Sequence, residues 1–92
     1  MSAAKPYGPF KLTPHARHES SRRGIPAEIL ADVLANPEQI VAAHSDRNVY
    51  QSMKRIRGIM FLVRVIVDER VSPAKVVTVY RTTKIRKYWS QS

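Results

Sequence analysis

Ile59-Met-Phe-Leu-Val-Arg-Val-Ile-Val67 is the longest apolar run of the chain, and its β-branched and aromatic residues predict a strand. Alternate side chains of a strand point to opposite faces. Ile59, Phe61, Val63, Val65 and Val67 therefore share one face, and Met60, Leu62, Arg64 and Ile66 share the other. A strand apolar on both faces belongs at the centre of a sheet. Arg64 is the exception within it, costly to bury unless its face is open or an anion pairs with it.

Working backward, Arg57-Gly58 predicts a tight turn to a second strand, Val49–Arg55, which carries Tyr50. Ser45-Asp46-Arg47-Asn48 is turn chemistry, and Gln39–His44 reads as a further strand before it. Working forward, Asp68–Ala74, with Ser72-Pro73, links the central strand to Lys75-Val-Val-Thr-Val-Tyr-Arg-Thr-Thr-Lys-Ile-Arg-Lys-Tyr-Trp89. This last stretch is a β-like run with a cationic, aromatic end. Strict alternation puts Val77 and Val79 on one side and Thr78 and Tyr80 on the other. The connections are short, so the four strands are expected to form an antiparallel meander, with Arg64, Thr78 and Tyr80 together on a partly solvated face.

Two helices are predicted before the sheet. Thr13-Pro14 is a hydroxyl cap followed by proline at the first helical position, and Gly24 supplies the stop. Between them Ala16 is the only hydrophobic residue, while His15, His18, Glu19 and Arg22 fall within about 100° of arc. Two readings compete for this helix: a solvated face with a Glu19 to Arg22 or Arg23 ion pair, or a surface kept for what it presents. The second helix opens at Ile25-Pro26 and runs to about Ala35, with Ile29, Leu30, Val33 and Leu34 as its apolar stripe, and Asn36-Pro37 ends it. Residues 1–9 read as an irregular lead-in, Phe10-Lys-Leu12 as a short extended piece and residues 88–92 as a tail. The fold class expected is α+β, one domain over residues 1–92, with two N-terminal helices and then a four-stranded antiparallel sheet.

The chain of 92 residues holds 16 Lys+Arg against 7 Asp+Glu, a formal net charge of +9. Lys75, Arg81, Lys84, Arg86 and Lys87 concentrate that excess in the last strand and its tail. Nucleic acid is the leading partner class for such a balance. The longest apolar run is far short of a membrane-spanning helix, and the N-terminus lacks the apolar stretch of a signal peptide, so a cytoplasmic protein is expected. Absence of cysteine excludes disulfides, thiol nucleophiles and cysteine-zinc sites.

The pattern Leu12-Thr13-Pro14-His15-Ala16, then Arg22-Arg23-Gly24-Ile25, then Val33-Leu34-Ala-Asn36-Pro37, then Tyr50, then Val77-Thr78-Val79-Tyr80 resembles the bacterial family catalogued as domain of unknown function 4258. The resemblance spans roughly residues 10–88. That family is grouped with the barnase/EndoU/colicin/RelE-like fold, whose members are often small, basic, metal-independent ribonucleases used as toxins. The resemblance thus implies a RelE-like sheet, an RNA substrate, a cognate antitoxin and no cofactor. Its recurring polar positions correspond to His15, Arg22 or Arg23, Tyr50, Thr78 and Tyr80. Pro26 departs from the serine or threonine more usual there, which costs the second helix a hydroxyl cap.

Metal-independent RNA cleavage uses the 2′-hydroxyl as nucleophile, so the protein supplies only a base, an acid and cations. His15 is the first candidate for proton transfer, with Glu19 as an alternative base or as the group that orients the imidazole. Arg22, Arg81 and Lys84 are candidates to meet charge on the phosphorane, and Tyr80 to hydrogen-bond phosphate or stack on a base. The expected catalytic set is His15, Glu19, Arg22, Thr78 and Tyr80. The expected nucleic-acid-binding set is Arg64, Arg81, Lys84, Lys87, Tyr88 and Trp89. Each has a plainer reading: Thr78 and Tyr80 as ordinary sheet residues, Tyr88 and Trp89 as a packed tail, His18 as solvated, His44 as incidental beside a turn. Two other functions stay open, a non-catalytic nucleic-acid or partner-binding module and a metal-dependent hydrolase built on His15, His18 and Glu19. A distance tests the placing of proton transfer on the first helix: His15 or Glu19 should approach Tyr80, Arg81 or Lys84 closely enough to share one phosphate, and a helix packed on the opposite face of the sheet favours the binding module.

Overall fold

In the computed structural model, described here for residues 7–91, the first helix begins where Thr13-Pro14 places it. α1 spans Pro14–Arg22, and the Thr13 hydroxyl accepts from the Ala16 amide at 3.1 Å. The same hydroxyl donates to the Val77 carbonyl at 3.2 Å, so one side chain both caps the helix and ties it to the sheet. Gly24 closes the helix at φ +62°, a conformation that favours glycine. α2 spans Ala27–Ala35 with Pro26 as its cap and no side-chain hydrogen bond there. It buries Leu30, Val33 and Leu34 and half-buries Ile29, the stripe that its spacing predicts.

The sheet has five strands: β1 Lys11–Leu12, β2 Gln39–Ala42, β3 Asn48–Ile56, β4 Ile59–Asp68 and β5 Lys75–Thr82, in the order β1-β5-β4-β3-β2. β4 is central, as its apolar sequence requires. The strands β2 to β5 form the expected antiparallel meander, but the sheet is mixed, because Lys11-Leu12 adds a short parallel strand beside Lys75-Val76. A third helix, α3, covers Ile85–Tyr88, so the cationic end of the last stretch is one helical turn rather than a continuation of the strand.

Arg57 and Gly58 both have positive φ, +51° and +82°, the geometry of a two-residue hairpin turn. That turn pairs Ile56 with Ile59 and, counting outward, Tyr50 with Val65 and Gln51 with Arg64. One alternation differs from expectation. A bulge between Ile66 and Val67 leaves Val77 without an opposite residue, so Val76 and Val79, rather than Val77 and Val79, are fully buried. Leu12, Ala16, Ile25, Leu30, Val33, Leu34, Ile56 and the valines 63, 65, 67, 76 and 79 make the core between the helices and one face of the sheet.

Candidate nucleic-acid interface

Ala16 of α1 is buried in the same cluster as Val65 and Val79. Those two valines precede or follow Arg64 and Tyr80 in sequence, and Arg64 and Tyr80 oppose each other in the β4–β5 register. Adjacent strand residues point to opposite faces, so α1 lies on one side of the sheet and Arg64 and Tyr80 on the other. The shared site expected of His15 or Glu19 with Tyr80 is therefore not formed.

Glu19 departs furthest from its expected role. It turns inward beside Ala16, leaving the exposed His15 and His18, and its side chain is only 11% accessible. Arg22 donates to both of its oxygens at 2.9 and 3.1 Å, and Arg23 donates to Oε1 at 2.9 Å. These hydrogen bonds, Arg22 first and Arg23 second, hold the Glu19 carboxyl at about 2. A carboxylate so stabilised is a poor proton acceptor near neutrality, and its two oxygens are already engaged. The same commitment removes Glu19 from a ligand set with His15 and His18. Among the described residues no group of three or more His, Asp or Glu is placed to hold a metal.

The basic set also divides. The Arg81 guanidinium stacks on Phe61, 4.4 Å from the ring centroid, and Phe61 packs on the helix-side core, so Arg81 belongs to α1's side of the sheet. Tyr50 is likewise core, in edge contact with Phe10, its hydroxyl bonded to Glu69. Burial and that bond push its phenol up to about 12. Lys84 and Lys87 are exposed around α3, with the Lys87 ammonium 5.3 Å from the Tyr88 ring centroid, and Trp89 is half-buried.

What the structure does bring together lies on the face turned away from α1 and α2. Arg64, Thr78, Tyr80 and Tyr88 line one groove, and His44, the first residue of the 3-10 turn His44–Asp46 that follows β2, lines it with them. The groove encloses about 680 Å³ and has no Asp or Glu in its wall. At its centre the Arg64 guanidinium is fixed on three sides. Its Nε donates to Gln51 Oε1 at 2.8 Å, one Nη donates to the Tyr80 hydroxyl, and its Cζ sits 4.3 Å from the Tyr88 ring centroid. Among the described residues its other Nη has no protein acceptor. The Tyr80 hydroxyl accepts from Arg64 and so keeps its own proton to donate outward. Such a fork of donors over an aromatic wall, uncompensated by acid, suits a phosphate and its neighbouring base.

Gln51 carried no expectation in the sequence, and His44, expected to be incidental beside a turn, lines the groove. A glutamine in a strand carries no signal by itself, but the two-residue turn at Arg57-Gly58 sets Gln51 opposite Arg64, and a polar residue opposite an arginine in so apolar a hairpin was the available clue. For His44 the clue was weaker, a histidine where a strand enters a turn.

A protein-family model described as "Domain of unknown function (DUF4258)" matches residues 12–81, from the last residue of β1 to the penultimate residue of β5. No curated protein and no solved structure matches the chain. No helix among the described residues is long and apolar enough to cross a membrane.

Proposed function

The chain belongs to the DUF4258 family, and on that premise we propose that it is a metal-independent endoribonuclease whose site is the sheet face opposite α1 and α2. The observation that carries the reading is the acid-free groove in which Arg64, Tyr80 and His44 converge. RNA can be cleaved by its own 2′-hydroxyl: a base takes its proton, the oxygen bonds to the adjacent phosphorus, and the P–O5′ bond breaks as the leaving 5′-oxygen takes up a proton from water. Histidine is the side chain suited to that proton transfer, and His44 takes the role first assigned to His15. Arg64 and the Tyr80 hydroxyl donate to the phosphate oxygens as charge builds on them, and Tyr88 offers a face for a base. In this reading the chain is a RelE-like toxin of a toxin–antitoxin pair, held inactive by a protein that covers the basic face, and Thr78 contributes to the groove wall.

Labelled RNA incubated with the protein, with and without EDTA, should give fragments with 2′,3′-cyclic phosphate ends in both, and expression without a partner should arrest growth. RNA left intact, with unharmed cells, refutes the proposal. A second reading, an RNA-binding module without catalysis, draws on the placement of His15 and Glu19 across the sheet, which leaves His44 as the one histidine in the groove. That reading predicts salt-sensitive binding with no cleavage products.

A further inference from the structure

Gln51 is fully buried, although its side chain faces away from the helix-side core. A buried amide is costly unless its hydrogen-bonding capacity is used, and here it is used in a particular way. Its nitrogen donates to Gln39 Oε1 at 2.8 Å and to the Tyr88 carbonyl at 3.1 Å, while its oxygen accepts from Arg64 Nε. Gln39 in turn grips the end of the chain with both ends of its amide. It donates to the Ser90 carbonyl at 2.9 Å and accepts from the Ser90 amide at 3.0 Å. The segment of α3 through Ser90 is thus fastened across the sheet face by two glutamines, and that fastening puts the Tyr88 ring over Arg64.

We infer that Gln39 and Gln51 are positioning residues that couple docking of the C-terminal segment to the orientation of Arg64, so that the nucleic-acid site is complete only when the segment is down. The inference rests on the proposed assignment of the groove. With the segment docked, Gln51 fixes the Arg64 Nε, Tyr88 covers one face of the guanidinium, and the unpaired Nη is presented to the groove. With the segment released, Gln51 loses the Tyr88 carbonyl and Arg64 loses the Tyr88 ring, keeping only the more distant Tyr80 ring, so the guanidinium samples other rotamers. Coupling of this kind is reciprocal: if docking strengthens binding of RNA, RNA strengthens docking. A lid over the groove would couple with the opposite sign.

Trp89 is the only tryptophan of the chain and sits in the segment, half-buried, so its emission reports docking directly. The experiment uses the full chain, Gln39→Ala and Ser90→Pro, each titrated with a short single-stranded RNA whose riboses are 2′-O-methylated and therefore resist cleavage. Gln39 lies outside the groove wall, and Ser90→Pro removes one amide donor without touching β2, which keeps the test valid if Gln39→Ala disturbs the edge strand. Both variants should show red-shifted Trp89 emission without RNA and bind the oligonucleotide about fivefold more weakly, since only the docked fraction is competent. Saturating oligonucleotide should return the emission toward that of the parent. Unchanged emission in both variants, or tighter binding with a further red shift as RNA displaces the segment, overturns the coupling while leaving the groove's assignment in place. A parent protein that binds no oligonucleotide overturns the assignment of the groove and the coupling with it.

Discussion

Replacing Gln51 by leucine keeps the side chain's approximate volume and removes its three hydrogen bonds, to Gln39, the Tyr88 carbonyl and Arg64. Two of these are between neutral groups and contribute about 1 kcal/mol each, and the one from the charged Arg64 contributes about 1.5–3 kcal/mol. Arg64 is half-buried, so water replaces part of that last term, and a buried leucine returns about 1–2 kcal/mol of apolar transfer. The net expectation is a loss of about 2 kcal/mol. For a domain of this size that lowers Tm by about 8–16 °C. Urea unfolding followed by far-UV circular dichroism measures it, with an unchanged slope showing that the folded and unfolded states keep their exposure. A loss below about 0.5 kcal/mol, or a gain, refutes the claim that this amide is the polar link between the sheet face and the chain's end.

Leu30→Ala, at a site with no exposure in α2, is expected to cost about 2–5 kcal/mol by the same unfolding measurement. Glu19 has a folded pKa of about 2 against an ordinary value of 4.5, so its ionised form stabilises the fold above pH 4.5 and that contribution is lost as pH falls toward 2. The stability deficit of Glu19→Gln should therefore be full at pH 7, shrink below pH 4.5 and close near pH 2 in a series of urea titrations. Arg64→Ala should weaken binding to single-stranded RNA and reduce the slope of log affinity against log salt by about 1, whereas Arg81→Ala, on the other side of the sheet, should leave that slope unchanged.

The elements that local chemistry dictates were legible in the sequence. Thr13-Pro14 and Gly24 bound α1, Asn36-Pro37 ends α2 and Arg57-Gly58 turns the central hairpin because each residue has a backbone preference that needs no tertiary partner. The short parallel strand was not assigned as part of the sheet, because two residues carry too little pattern to choose a partner before Lys75-Val76 is in place. The bulge at Val77 is equally silent, since a run of β-branched residues reads the same in either phase. For the site, alternation within each strand and the cost of burying Arg64 suggested its grouping with Thr78 and Tyr80, and the β4–β5 register sets Arg64 opposite Tyr80. The side of the sheet on which α1 packs was not. Helix-wheel geometry put Glu19 with His15 and His18, yet Ala16 alone is too small to mark which face is buried, and the pair of arginines at 22 and 23 lets a carboxylate go inward in its place. The aliphatic part of the chain was decisive for the fold, and its few polar residues in apolar surroundings line the candidate site.

The most direct test of the account is cleavage of end-labelled RNA in EDTA by the parent protein and by His44→Ala, Arg64→Ala, Tyr80→Phe and His15→Ala. 2′,3′-Cyclic phosphate ends are expected from the parent and from His15→Ala, with cleavage lowered by about 10²-fold or more in His44→Ala and Arg64→Ala. Tyr80→Phe should lie between them. Loss of cleavage in His15→Ala with full activity in His44→Ala and Arg64→Ala would contradict it, by placing the chemistry on the helical side of the sheet.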